Sequence, residues 1–239
     1  VSVITALLPR LSRQSHDKDL SAFGSELSSS LRLVSALIIP SAFFVFATGP
    51  WLGSLLYGYG ASSLSQGSAL GTIASMFALG LPAFSLFYVL LRSYYAQENT
   101  KTPFLINLGF NLLHIAIGLS LFYSLPEGYR VAGLAFGYSL AYVITCVFTW
   151  RRVGKRVPDL LNHGHLRLIV RVTLASLVSG AGAYLFVTSL IMNSDQASLL
   201  QLGFGIASFA ASFSLLYLAL AKVLRISEVW AVLALVRRK

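Results

Sequence analysis

The chain has 239 residues, of which 56% are hydrophobic and only 11% charged, and its mean hydropathy is +0.75. A soluble domain carries about 25% charged residues, so this composition excludes a globule solvated by water on all sides and makes lipid the main solvent. A net charge of +10 invites a nucleic-acid reading, but that requires basic side chains gathered into one patch, and their order along the chain argues otherwise.

Val1 to Leu8 form an apolar run too short to cross a hydrocarbon core of about 30 Å. They also lack the basic start and small-residue cleavage site of a signal peptide. Residues 1–9 are therefore expected to be the end of a truncated transmembrane helix that starts upstream, and residues 10–30 a cytoplasmic loop. The next uncharged run, Leu33 to Leu91, is too long for one span and suits two, at about 31–48 and 68–91. Between them Gly49, Pro50, Gly53, Gly58, Gly60 and Gly67 read as turn and breaker signals. Trp51, Leu55, Leu56, Tyr57 and Tyr59 there suit a short interfacial segment over 49–60. Four cleaner runs follow, predicting spans at about 104–124, 131–150, 172–192 and 199–221, each close to the roughly 20 residues a bilayer requires. They are apolar all round, without the alternation of a membrane barrel. The expected fold is all-α, a polytopic transmembrane bundle in which residues 31–152 hold four helices and 171–222 hold two more. A basic cytoplasmic loop is expected over 153–170, and a basic cytoplasmic tail over 223–239.

With the first loop cytoplasmic, every lysine and arginine except Arg130 falls on the inner side. This is the positive-inside pattern, so the basic balance reports topology and no nucleic-acid partner is expected. Both ends of the six-helix set are then cytoplasmic. Pro40 and Pro82 lie mid-span, where a missing donor and a ring clash kink a helix. Such kinks suit a protein that rocks between states, although prolines are also simply more frequent in membrane helices. Ser176, Gly180 and Ala183, and likewise Gly203, Ala207 and Ala211, place small residues on one face of each of the last two spans, for close helix packing.

Chemistry-bearing motifs are sparse. No nucleophile elbow, Walker loop, metal-binding histidine pair on a helix or Cys-x-x-Cys occurs, so no enzymatic site, no cofactor and no metal is expected. The lone Cys146 excludes an internal disulfide, and His163 and His165 read as loop residues without a carboxylate set to complete a metal shell. Inside the membrane, Asn107, Asn111 and His114 share a helical face by their i, i+4, i+7 spacing. Polar groups in hydrocarbon are costly, so this stripe is expected to face the bundle or a water-filled path. His114 is open to two roles there, a proton carrier near neutral pH or a neutral imidazole satisfied by a neighbouring helix.

Four segments carry a family likeness. They are Leu8-Pro9-Arg10-Leu11-Ser12-Arg13; Leu31-Arg32-Leu33 with Ile39-Pro40-Ser41-Ala42; Pro50 with Leu55-Leu56-Tyr57-Gly58-Tyr59-Gly60; and Arg92-Ser93-Tyr94-Tyr95-Ala96-Gln97-Glu98-Asn99-Thr100-Lys101-Thr102-Pro103. Together they resemble the MurJ or MviN lipid II flippases of the multidrug, oligosaccharidyl-lipid and polysaccharide exporter group. The last segment is the most specific, similar to the family's aromatic-Tyr-Ala loop that ends in Thr-Arg-Thr-Pro. It departs from the family at Gln97-Glu98-Asn99, where Arg-Gln-Asp is usual. His114 and Gly118 stand where relatives place Asn and Asn or Asp.

The likeness implies a MATE-like second lobe, helices nine to twelve of fourteen, plus two extra C-terminal helices lining a groove for a lipid tail. It implies the bacterial cytoplasmic membrane as location, and inner-to-outer transfer of lipid II or a related polyprenyl-pyrophosphate substrate by alternating access. A membrane potential or ion gradient would drive it. Arg10, Arg13, Arg92 and Lys101 are candidates to attract the pyrophosphate, and the family's central cavity arginines would lie upstream of Val1. Membrane lipids and cell-wall or division proteins are the other partners to consider. Two rival readings are a polysaccharide-repeat or drug exporter of the same group, and a non-transporting membrane scaffold.

Overall fold

The computed structural model describes residues 9, 11–13, 20–60, 62–157, 160, 163–190 and 198–231. Six long helices account for most of them: α1 (Leu20–Tyr57), α2 (Leu64–Tyr95), α3 (Lys101–Ser124), α4 (Arg130–Gly154), α5 (His163–Leu190) and α6 (Leu199–Val223). A 3₁₀ turn, Glu127–Tyr129, leads into α4, and residues 227–231 are again helical. No strand occurs among the described residues, as expected where hydrocarbon offers the backbone no hydrogen bonds. All six helices are long and apolar enough to cross a membrane.

The helices begin and end where local chemistry dictates. At the start of α2, Ser63 Oγ accepts from the Gln66 amide at 3.2 Å while Gln66 Oε1 accepts from the Ser63 amide at 3.0 Å. Ser198 and Gln201 repeat this reciprocal cap at α6, satisfying donors that a first turn otherwise leaves open. Between α2 and α3, Glu98 adopts φ 57°, and the Asn99 amide returns to the Tyr94 carbonyl at 3.0 Å. Asn99 Oδ1 then accepts from the Thr102 amide at 3.0 Å, so the segment that carries the strongest family likeness closes one helix and opens the next.

Two boundaries differ from the sequence expectation. Residues 20–30, expected as loop, are helical because Phe23, Leu27, Leu31 and Val34 continue an i, i+3/i+4 stripe, all of them buried. The break expected over 49–60 is also absent up to Tyr57, since α1 runs through Gly49, Pro50 and Gly53. These glycines serve packing: a Cβ on Gly71 would run into the Gly49 carbonyl, and one on Gly53 into that of Gly67. Tertiary contact of this kind overrides a local breaker signal, as small residues do at membrane helix interfaces. Among the described residues, Gly58 to Gly60 with Ser62 and Ser63 form the turn, with Gly60 at φ 69°. Trp51 stacks on Tyr184 with ring centroids 5.4 Å apart. The expectation of a truncated helix over residues 1–9 falls outside the described residues except for Pro9, and that of a basic tail does so largely, over 232–239.

Helix α1 is the hub. It packs along α2 on one side and against α5 and α6 on the other, while α2 packs on α4 and α4 on α3. One buried cluster joins α1, α2 and α4 around Phe23, Leu27, Phe87 and Tyr142. A second joins α1, α5 and α6 around Ile39, Val172, Phe209 and Phe213. Phe44 meets both Phe209 and Phe213 edge to face, at 5.6 and 6.1 Å. On α5 the small residues Ser176, Gly180 and Ala183 are buried as expected. On α6, Ala207 and Ala211 are exposed, and the packed face is the aromatic stripe Phe209, Phe213 and Tyr217.

Two substitutions test these contacts by thermal unfolding in detergent. Gly71→Leu drives a side chain into the α1 backbone and destabilises by about 1–3 kcal/mol, whereas Gly203→Leu, with open space beside it, leaves the midpoint nearly unchanged. Glu98→Gly removes a left-handed non-glycine residue and raises stability by about 1 kcal/mol.

Candidate functional site: an apolar groove between α4 and α5

Helices α4 and α5 stand apart, and a cavity of about 640 Å³ lies between them. Its floor is α1 and α2, through Ala42, Phe43, Pro82 and Ala83. Its walls are a continuous stripe on α4 (Val143, Cys146, Val147, Trp150, Arg151) and Leu166, Ile169 and Thr173 of α5. The α4 residues recur at i, i+3, i+4, i+7 and i+8, one face of a helix. Val143, Val147 and Leu166 on the rims are exposed, so the groove opens sideways to whatever surrounds the bundle. Arg151 at the end of the α4 stripe is the groove's formal cation, and no carboxylate lines it.

A small polar cluster holds that end together. His165, buried, shares a hydrogen bond of 2.5 Å with Ser28 of α1 and meets Trp150 edge to face at 5.6 Å. One turn further along α1, Arg32 pairs with Glu228 beyond α6 at 2.6 Å. The loop expected over 153–170 thus gives His165 to α5 and to this cluster, while the side chain of His163 lies outside the described residues.

The residues singled out from sequence fall elsewhere. Arg10 lies outside the described residues, Arg13 is exposed, Arg92 is half-buried in the last turn of α2, and Lys101 is exposed at the first residue of α3. Arg92 and Lys101 flank the turn between α2 and α3, away from the groove lining. Asn107 and Asn111 both donate from their side-chain amides to their own helix, to Pro103 O at 3.0 Å and Asn107 O at 2.8 Å. The polar stripe therefore runs along the edge of the packed face of α3, with Asn111 exposed. His114 stacks on Phe110 at 6.0 Å and lies edge-on to Tyr138 at 5.0 Å. What the sequence reading missed was the α4 stripe ending in Arg151, legible as helical periodicity but read only as an apolar span.

Nothing in the groove is arranged for bond-making chemistry. An apolar trough open along one side, with a cation at one end, suits a hydrocarbon chain carrying an anionic head.

Comparison with known proteins places this architecture. A probable lipid II flippase MurJ of Thermotoga maritima is 29% identical over 180 residues, covering 75% of this chain and 34% of that protein. One from Buchnera aphidicola subsp. Baizongia pistaciae is 27% identical over 178 residues, covering 74% and 34%. The chain thus spans about a third of the length of these curated relatives. A solved structure described as lipid II flippase MurJ in the inward closed conformation shares the fold, with a TM-score of 0.69 at 22% identity, over 94% of this chain and 43% of that one. Its polytopic helical fold is one with the pattern of the family described as lipid II flippase MurJ, which matches residues 1–204, and the chain belongs to that family.

Proposed function

We propose that this chain is part of a flippase that carries lipid II, a polyprenyl-pyrophosphate-linked peptidoglycan precursor, from the inner to the outer leaflet of the bacterial inner membrane by alternating access. The observation that carries this reading is the groove between α4 and α5, apolar and laterally open, in a chain of this family. The polyprenyl tail lies in that groove while the headgroup passes through the lobes. α1 to α4 belong to the second lobe, and α5 and α6 are the added pair. The end bearing Arg151, Arg152, Lys155 and Arg156 faces the cytoplasm, as the positive-inside rule requires. Arg10, Arg13, Arg92 and Lys101 draw the pyrophosphate toward that face by charge. The Asn107, Asn111 and His114 edge contributes polar surface where the two lobes meet, and the membrane potential or an ion gradient drives the cycle.

Ala83→Trp fills the groove floor. In the complete protein, in cells depleted of their own flippase, it lowers precursor transfer by about tenfold, as a loss of about 1.4 kcal/mol in tail binding would. Normal transfer at an equal membrane level would remove the groove from the pathway. Orientation is read separately, by cysteine labelling in a Cys146→Ser background. Tyr129→Cys reacts with an impermeant maleimide added outside, and Lys155→Cys reacts only after the membrane is opened.

A further inference from the structure

A second hollow, about 390 Å³, lies on the opposite side of α4, against α3. It exists because these two helices diverge. Toward the Arg130 end they nearly touch: a Cβ on Gly137 would come within 3.2 Å of Ile117 and Leu121 and 3.6 Å of the Gly118 Cα. Toward the other end Gly109 faces open space, with nothing within 4 Å of where its Cβ would stand. Leu105, Ile106, Ile144 and Phe148 make the cleft apolar, and Thr102 and Arg152 sit at its mouth. Leu105, Ile144 and Phe148 are about half exposed, so the cleft opens outward. Its lining holds no carboxylate, and Arg152 makes no ion pair with a described residue. Exposed Lys101 and Lys155 lie at the same end.

We propose that this cleft is a binding site for an anionic membrane phospholipid, with one acyl chain between α3 and α4 and the phosphate on Arg152. The occupant follows from charge and shape together. A chain-wide apolar slot needs hydrocarbon, and a lining that holds a cation and no carboxylate favours an anionic head over a zwitterionic one. The lipid fills the gap that opens beyond the Phe110–Tyr142 contact, so it acts as packing rather than as cargo.

The test uses the complete protein, purified in detergent and titrated with phosphatidylglycerol or phosphatidylcholine, with bound lipid counted by native mass spectrometry. Phosphatidylglycerol is expected to be retained preferentially. Gly109→Trp, which plugs the cleft in the direction already open, abolishes that preference, and Arg152→Gln weakens binding about fivefold, the effect of one cation at an anionic surface. Arg167→Gln, an exposed cation lining neither cavity, leaves it unchanged. Equal retention of both lipids, or undiminished phosphatidylglycerol in Gly109→Trp and Arg152→Gln, overturns the proposal. So does a Gly109→Cys protein that a lipid-soluble maleimide cannot reach, because another helix of the complete protein then fills the cleft. Precursor transfer is not the readout, so failure here leaves the α4–α5 groove untouched.

Discussion

Hydrocarbon gives a backbone amide nothing to bond with, and each unsatisfied group there costs several kcal/mol. That constraint makes every span helical before any side chain is considered. It also moves the question of specificity from secondary structure to contact, because lipid tails are as apolar as leucine and no hydrophobic force pulls helices together. Close approach must then come from small residues and shape. Gly49, Gly53, Gly67 and Gly71 bring α1 and α2 to backbone contact, and Ser139 donates to the Met76 carbonyl at 2.7 Å where α4 crosses α2. Where no such contact forms the helices part, and the two hollows described above lie in such gaps.

Helix α1 shows how length is used. Its 38 residues rise about 57 Å, well beyond a hydrocarbon core of about 30 Å. Its first turns carry Phe23, Leu27, Ser28 and Arg32, which hold α2 and α4 by apolar contact and α5 and the segment after α6 by polar contact. Two bundles that scarcely touch elsewhere are thereby joined through a single element. The Arg32–Glu228 pair is partly exposed, so its energy is small and its role is alignment.

Charge placement made the number of spans legible in the sequence, because cations are expensive in lipid and interrupt each run. Helix ends were less legible. Hydropathy sees only the lipid-facing stretch, so the amphipathic start of α1 passed for a loop although its Phe23-Leu27-Leu31-Val34 spacing was there to read. The glycines of 49–71 were ambiguous in one dimension: a breaker and a contact surface have the same composition, and only a partner helix decides between them. The groove was visible as a periodic stripe on α4 but not as a space, since a gap is a property of two helices. The polar stripe of α3 was legible as a face, yet not that its two amides would be spent on their own backbone.

Arg151 and Arg152 are adjacent in sequence, yet one borders each hollow. Neighbours on a helix are turned by about 100° but separated by only about 1.5 Å along its axis. A one-residue step is thus enough to furnish both flanks of α4, and it also sets the two openings at nearly one depth along the helix. Any tilt or slide of α4 must carry both with it, so the anchoring plane for one guest cannot be shifted without shifting the other.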